Sequence, residues 1–161
     1  MPIAVGDKIP EATFAVPTDD GPSPLTSAEL FGGKKVVLFA VPGAFTPTCH
    51  KNHLPGFAAQ ADAIKAKGVD TIAVTSVNDP FVMGAWAKAT NAGDAITFLA
   101  DGSADFAKAV DMVLDASGHG LGIRSLRYAM IVDNGTVSWI GVDDVPSQAD
   151  ASSAQAVLNA L

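Results

Sequence analysis

The sequence predicts an α/β fold in which helices flank a central mixed β-sheet. Short apolar runs rich in β-branched residues alternate along the chain with segments whose apolar residues recur every three or four positions. Runs of the first kind are typical of buried strands, and segments of the second kind are typical of helices with one buried face. Their alternation predicts a sheet that is covered by helices.

Five strands are predicted, and the last two form a hairpin. The Asp133-Asn134-Gly135 turn between them is a strong hairpin signal, so one edge of the sheet should be antiparallel. The predicted strands are Lys35–Val41, Thr71–Ser76, Ile96–Ala100, Leu126–Val132 and Thr136–Gly141.

Four helices are predicted, and they begin at Thr46, at Asp79, at Ser103 and near Ser152. Pro55 lies inside the first helix and should kink it, because proline removes a backbone donor. The third helix carries an apolar stripe formed by Phe106, Val110, Val113 and Leu114. Since the chain has no repeat and no interdomain linker, we expect a single domain over residues 1–161.

Composition excludes several classes of function. The net charge is −7, from 10 basic and 17 acidic residues, and no basic patch exists. Nucleic-acid binding is therefore not expected, because phosphate neutralisation needs clustered cations. No apolar run is long enough to span a membrane, and the N-terminus lacks a signal peptide pattern. With one cysteine and no internal disulfide, we expect a protein of the reducing cytoplasm.

Cys49, the only cysteine, lies where the first predicted strand gives way to a helix. Thr46 suits the N-cap and Pro47 the first helical position, which places Cys49 in the first turn. The free N–H groups and the positive end of the helix dipole favour a thiolate there, and a thiolate is the nucleophilic form. The alternative is a buried cysteine that only packs.

The segment Pro42-Gly43-Ala44-Phe45-Thr46-Pro47-Thr48-Cys49, followed by His53-Leu54-Pro55-Gly56-Phe57, resembles the active site of the peroxiredoxins. It is most similar to the atypical type II, or peroxiredoxin-5-like, group. The resemblance continues through residues 68–83 and 122–130, and so covers nearly the whole chain. It implies a thioredoxin-like fold, no cofactor, and a peroxidase that reduces hydrogen peroxide and organic hydroperoxides.

The resemblance also implies roles for residues near Cys49. Thr46 would orient the peroxide, although it could serve only as a helix N-cap. Pro42 would shield the thiolate from water, although it could serve only to end the strand. The active-site arginine of the family corresponds to Arg127. A buried arginine needs an anionic partner, and the Cys49 thiolate would be that partner. Arg124 lies nearer the loop and is expected to be a supporting or surface cation.

Three histidines offer other readings of the site. Cys49, His50 and His53 together could indicate zinc, but structural zinc sites need four ligands and no further Cys–His cluster exists. A Cys–His hydrolase is possible in principle, with His53 better placed than His50. By resemblance His53 is mainly structural, and His119 stands alone. We therefore expect no metal.

The chain departs from many type II members, which carry a second, resolving cysteine. An external thiol must then reduce Cys49, either glutathione with glutaredoxin or thioredoxin. Two alternatives are a peroxide-sensing thiol switch and a non-catalytic interaction module on the same fold.

In the family, the active-site loop and the start of the next helix contribute to a two-fold contact, which predicts a homodimer through Phe45 and Phe81.

Overall fold

The computed structural model describes residues 1–161 and contains nine strands and six α-helices. The strands are β1 (Thr13–Val16), β2 (Ser23–Thr26), β3 (Lys35–Ala40), β4 (Thr71–Ser76), β5 (Thr97–Ala100), β6 (Val113–Ala116), β7 (Gly122–Ser125), β8 (Tyr128–Asp133) and β9 (Thr136–Val142). The helices are α1 (Ser27–Phe31), α2 (Leu54–Ala59), α3 (Ala61–Lys65), α4 (Pro80–Thr90), α5 (Asp105–Ala109) and α6 (Ala154–Ala160). None of them is long and apolar enough to cross a membrane.

Seven of the strands form one mixed sheet in the order β2-β1-β5-β4-β3-β8-β9. Strands β3, β4 and β5 pair in parallel, and the helices between them serve as crossovers. The β8–β9 hairpin adds an antiparallel edge next to β3. This arrangement confirms the predicted mixed sheet with its terminal hairpin.

Both faces of the sheet are covered, which explains why β3 is apolar along its whole length. Val37 and Phe39 belong to one core cluster, which also contains Phe57 and Trp86 from helices α2 and α4. Val36 and Leu38 belong to the cluster on the opposite face. The alternation follows from the two-residue period of a strand. β3 is thereby held rigidly from both sides, and its carboxyl end supports the loop that carries Cys49.

The predicted third helix is shorter than its apolar stripe indicated. Helix α5 ends at Ala109, and Asp111 adopts a left-handed conformation with φ of 56°. The chain then turns into β6, so Val113 and Leu114 lie in a strand that pairs with β7. A helix spacing of three and four residues also occurs by chance across a short helix and the strand after it, and here the left-handed residue separates the two. The β6–β7 hairpin and strands β1 and β2 were not predicted.

The sequence predicts a kink at Pro55, and the structure has a wide helical turn just before this residue. The helix begins at Pro47, and residues Cys49–His53 form a π-helical turn in which the Leu54 N–H donates to the Cys49 carbonyl. Because Pro55 has no N–H, the regular bond to the carbonyl four residues earlier cannot form there. A π-helical turn of this kind is frequent at functional sites.

Candidate active site

Cys49 opens the π-helical turn at the carboxyl end of β3, and its side chain is fully buried. The loop from residue 41 to residue 46 connects the strand to this turn. Thr48 links the turn to the loop between β9 and α6, because its hydroxyl donates a hydrogen bond to the Ser147 carbonyl at 3.1 Å. The thiol is therefore enclosed between two loops.

Arg127 contacts the thiol directly. Its Nη2 lies 2.9 Å from Cys49 Sγ, and the side chain is 2% exposed. The residue precedes β8, which begins at Tyr128, so the predicted strand over Leu126–Val132 starts two residues too early. The guanidinium also donates to the Pro146 carbonyl, from Nε at 3.2 Å and from Nη2 at 3.1 Å, and to His53 Nδ1 at 2.8 Å.

No carboxylate pairs with Arg127. The single ion pair in the structure joins the N-terminus to Asp111. Burying a cation without an anion costs several kcal/mol, and the only anion that this site can offer the guanidinium is the thiolate form of Cys49. The geometry therefore brings a buried cation without a carboxylate partner to the only thiol of the chain.

Thr46 does not cap the helix with its side chain as expected. Its hydroxyl donates to the Gly43 carbonyl at 2.6 Å, while its backbone carbonyl accepts from the His50 N–H at 2.8 Å. The helix therefore starts where predicted, but the side chain turns back into the loop. Since the hydroxyl proton is used, the lone pairs of Oγ1 remain for a hydrogen-bond donor in the cavity.

Arg124 braces the loop rather than the sulfur. From β7 it donates to the carbonyls of Leu121 at 2.9 Å, Val77 at 3.3 Å and Pro42 at 3.5 Å. Gly43 allows this contact, because a Cβ there would lie 3.0 Å from Arg124 Nη1. Pro42 itself is buried. Arg124 thus fixes the carbonyl of Pro42 and does not touch Cys49.

The comparisons with known proteins agree with one another. The redoxin family profile matches residues 4–158. Peroxiredoxin-2C of Oryza sativa subsp. japonica is 48% identical over 163 residues, which cover 99% of each chain. The structure of reduced Prx3 from Vibrio vulnificus in complex with hydrogen peroxide is 52% identical, with a TM-score of 0.93 and 98% of each chain covered. Peroxiredoxin 5 from Alvinella pompejana is 35% identical, with a TM-score of 0.84 over 98% of this chain and 97% of that chain.

The chain is a peroxiredoxin of the type II group. The family and the thioredoxin-like fold expected from the sequence are thereby confirmed. Peroxiredoxins are thiol peroxidases, so the protein is an enzyme, and the interpretation as a non-catalytic interaction module is wrong. Cys49 is the only thiol that this peroxiredoxin has for the reaction.

A cavity of about 640 Å³ lies beside the Cys49 segment of the peroxiredoxin. It lies between the active-site loop and the β6–β7 hairpin, with Thr46 and Arg127 in its wall. The remaining lining residues are Pro42, Pro47, Thr48, Leu114, Asp115, Ala116, His119, Leu121, Pro146 and Ser147. The space is far larger than hydrogen peroxide.

His50 and His53 both have protein partners. His50 Nδ1 accepts from the Trp86 indole at 3.0 Å, and its ring stacks on Phe45 with 5.5 Å between centroids. His53 contacts Arg127 and the Ser152 carbonyl. The structure contains no group of three His, Cys, Asp or Glu side chains that could hold a metal ion.

Sequence reasoning missed that His53 contacts Arg127. Burial lowers its pKa to about 4, the bond to the Ser152 carbonyl opposes this effect, and the nearby Arg127 charge adds to it. The four-residue spacing from Cys49 was a usable signal, because residues four apart lie on the same side of a helix. Asp143, which organises the loop around Ser152, carried no such signal.

Proposed function

We propose that this peroxiredoxin reduces peroxides by a one-cysteine mechanism. The Cys49 thiolate attacks the terminal oxygen of the hydroperoxide, a sulfur–oxygen bond forms and the peroxide O–O bond breaks. The sulfur is oxidised to sulfenic acid, and the leaving oxygen takes a proton and departs as water or an alcohol. The contact between the fully buried Cys49 sulfur and the Arg127 guanidinium, with no carboxylate beside it, carries this proposal.

Four groups around the sulfur support the attack. Thr46 Oγ1 accepts a hydrogen bond from the hydroxyl group of the peroxide, since its own hydroxyl donates a hydrogen bond to the Gly43 carbonyl. The Cys49 backbone N–H and the remaining Nη1 proton of Arg127 donate to the peroxide oxygens and stabilise the developing oxyanion. Pro42 presents no N–H and helps to keep water from the sulfur. These roles of Thr46, Arg127 and Pro42 follow the resemblance and fit their places in the cavity wall.

The reducing step uses a thiol from outside the chain. With one cysteine, the sulfenic acid has no internal partner for a disulfide. A thiol of glutathione or of thioredoxin attacks the sulfenic sulfur, a mixed disulfide forms and water leaves. A second thiol, from glutaredoxin or glutathione in the first case and from thioredoxin itself in the second, then attacks the mixed disulfide, which releases the Cys49 thiol and leaves the donor system oxidised to a disulfide. We place this cycle in a reducing compartment, the cytoplasm, because such donors are kept reduced there.

Peroxide consumption tests the proposal when glutathione with glutaredoxin and thioredoxin are supplied separately. We expect multiple turnovers with one of the two systems, and none for the nearly isosteric Cys49→Ser variant. Mass spectrometry after one equivalent of peroxide should show one added oxygen, or a mixed disulfide if glutathione is present. Oxidation without turnover in either system would favour the peroxide-sensing switch, and wild-type turnover by Cys49→Ser would contradict the mechanism.

We also propose that the protein is a homodimer whose contact includes Phe45 and Phe81. The side chains of both residues are exposed in the single chain, 47% for Phe45 and 73% for Phe81. A covered dimer contact beside the active-site loop would also restrict the access of water to the thiol.

A further inference from the structure

His53 connects Arg127 to the loop between β9 and α6. Its Nδ1 lies 2.8 Å from Arg127 Nη1, and its Nε2 lies 2.8 Å from the Ser152 carbonyl oxygen. A guanidinium only donates hydrogen bonds, so Nδ1 must accept. A carbonyl only accepts, so Nε2 must carry the proton. The two partners therefore select one neutral tautomer of the imidazole.

Asp143 holds the acceptor of His53 in place. Its carboxylate accepts from the N–H groups of Asp150 at 3.0 Å, Ala151 at 2.9 Å and Ser152 at 3.1 Å, and also from the Ser152 hydroxyl. Asp143 is 7% exposed, Ser152 is 0% exposed and His53 is 2% exposed. A continuous buried chain of hydrogen bonds thus leads from the Asp143 carboxylate to the Cys49 sulfur.

The neutrality of His53 has an electrostatic consequence. A carboxylate in its place would pair with Arg127 and weaken the attraction between the guanidinium and the sulfur. The charged groups that face His53 are Arg127 and Asp143, with the Cys49 thiolate beyond the arginine. The rings of Phe39 from β3 and Phe57 from α2 cover the remaining sides, with centroids 5.0 and 5.5 Å away. The imidazole, with a pKa of about 4, remains neutral under physiological conditions.

We propose that His53 is a positioning residue for peroxide reduction and that Asp143 positions His53 in turn. His53 holds the guanidinium against the Cys49 sulfur through a neutral acceptor, which leaves the positive charge of Arg127 available to the thiolate and the peroxide. The proposal rests on the functions proposed above for Cys49 and Arg127. His53 and Asp143 would thus contribute to catalysis although neither contacts the sulfur.

Three variants at position 53 separate geometry from charge. His53→Asn keeps a neutral oxygen near the position of Nδ1, His53→Asp places a carboxylate there with nearly the same shape, and His53→Leu removes the acceptor. The readouts are the ultraviolet absorbance of the thiolate against pH and the rate of reaction with hydrogen peroxide. The thiolate titration needs no turnover, so it tests this proposal even if the proposed peroxidase cycle is wrong.

We expect the thiolate titration midpoint and the peroxide rate of His53→Asn to lie between those of wild type and His53→Asp, because the amide keeps a neutral acceptor for Arg127 but loses the bond to Ser152. For His53→Asp the titration midpoint should rise by about one pH unit or more, and the peroxide rate should fall roughly tenfold or more. His53→Leu should also titrate at higher pH, because Arg127 loses an anchor. Circular dichroism and thermal unfolding establish that each variant is folded.

Identical titrations for the Asn and Asp variants would overturn the proposal, because charge at this position would then have no effect on the sulfur. A folded His53→Leu variant with a wild-type titration and peroxide rate would overturn it as well. If His53→Leu does not fold, the Asn and Asp pair decides. Absence of turnover by the wild-type enzyme with every donor, together with the expected order of titrations, would contradict the proposed function and leave this inference standing.

Discussion

Arg127 shows how one buried charge can organise the chemistry of a site. A guanidinium has five N–H donors, and four of the contacts of Arg127 go to Cys49, His53 and, twice, Pro146. None of these acceptors is a carboxylate, so the charge is not cancelled locally. Because Arg127 and Cys49 are both buried, such a charge acts more strongly on an adjacent thiolate than it would in bulk water. The residue is thus suited to stabilise both the ground-state anion and the oxyanion that leaves.

Replacing Arg127 should therefore affect the reaction more than replacing Arg124. We expect Arg127→Ala to slow peroxide attack by about 100-fold or more, since it removes a charge and a donor at the reacting atoms. Arg127→Lys should recover only part of the rate, because an ammonium cannot bond the sulfur, Pro146 and His53 together. Arg124→Ala should cost roughly tenfold or less, because this side chain braces the Pro42 carbonyl and not the sulfur. Stopped-flow peroxide kinetics rank the variants, and the reverse order would show that Arg124 is the active-site cation.

His53 should make the stability of the protein depend on pH in a defined window. Its pKa is about 4 in the folded protein and 6.5 in the unfolded chain, so the unfolded chain binds the proton first. The free energy of unfolding should be highest above pH 6.5 and fall by roughly 3 kcal/mol as the pH approaches 4.

The His53→Asn variant isolates this dependence, because other titrating groups cancel in the difference. Urea unfolding at several pH values should show a smaller loss of stability for the variant between pH 6.5 and 4. Asp143 affects the stability of the protein at lower pH than His53 does. Burial raises the pKa of the Asp143 carboxyl, but the hydrogen bonds from Ser152, Ala151 and Asp150 together lower it further, so its pKa lies below the usual value. If the free energy of unfolding changed with pH in the same way for wild type and variant, His53 would not be a neutral buried imidazole in the folded protein.

At the scale of elements, the loop between β9 and α6 is as important to the site as the loop that carries Cys49. It provides the Pro146 carbonyl to Arg127, the Ser147 carbonyl to Thr48 and the Ser152 carbonyl to His53. An irregular loop holds three carbonyls in fixed positions only if its own backbone is anchored. The Asp143 carboxylate supplies that anchor through its bonds to residues 150–152.

Asp143→Asn should loosen this loop. The amide nitrogen cannot accept hydrogen bonds, so backbone N–H groups or the Ser152 hydroxyl lose an acceptor, at a cost of about 1–3 kcal/mol. Urea unfolding should show the loss, and hydrogen exchange should increase first in residues 143–153. Asp144→Asn is the matched control, because Asp144 is the exposed neighbour. Equal effects of the two substitutions would indicate a general charge effect and not an anchor.

The sequence predicts those elements whose patterns are long enough to show a clear period, and it misses the short ones. The apolar runs of β3, β4 and β8 and the Thr46-Pro47 helix start are visible in single segments. Strands β1, β2, β6 and β7 have four residues each, which is too few to show a clear alternation, although β1 pairs with the nearby β2 and β6 with the nearby β7. Among the site residues, Cys49, Thr46, Pro42 and Arg127 belong to recognisable motifs. The links from His53 to Arg127 and to Ser152 join residues 74 and 99 positions apart, and so only the folded chain reveals them.

At the scale of the molecule, helix α4 divides its large apolar side chains between the core and the surface. Met83 and Trp86 are fully buried in the core, so the helix is less apolar on its outer side than the sequence indicated. Phe81 remains exposed. The Ala44 N–H donates to Asn78 Oδ1 at 3.0 Å, which places the turn containing Phe45 beside the start of the same helix. The two exposed phenylalanines thus belong to neighbouring segments of one surface.

We predict that this surface forms a two-fold contact in solution, in which each phenylalanine of one chain packs on the same region of the other. Sedimentation equilibrium at micromolar protein should give a dimer for the wild type and a monomer for Phe81→Asp, because a buried unpaired carboxylate is costly in an apolar contact. Since Phe81 is exposed in the single chain, this substitution should leave the fold intact. Val5→Asp serves as the control, because Val5 is also exposed, at 61%, but lies near the N-terminus. A wild-type monomer would refute the dimer, and dissociation by both substitutions would show that added negative charge, and not the Phe81 contact, controls assembly.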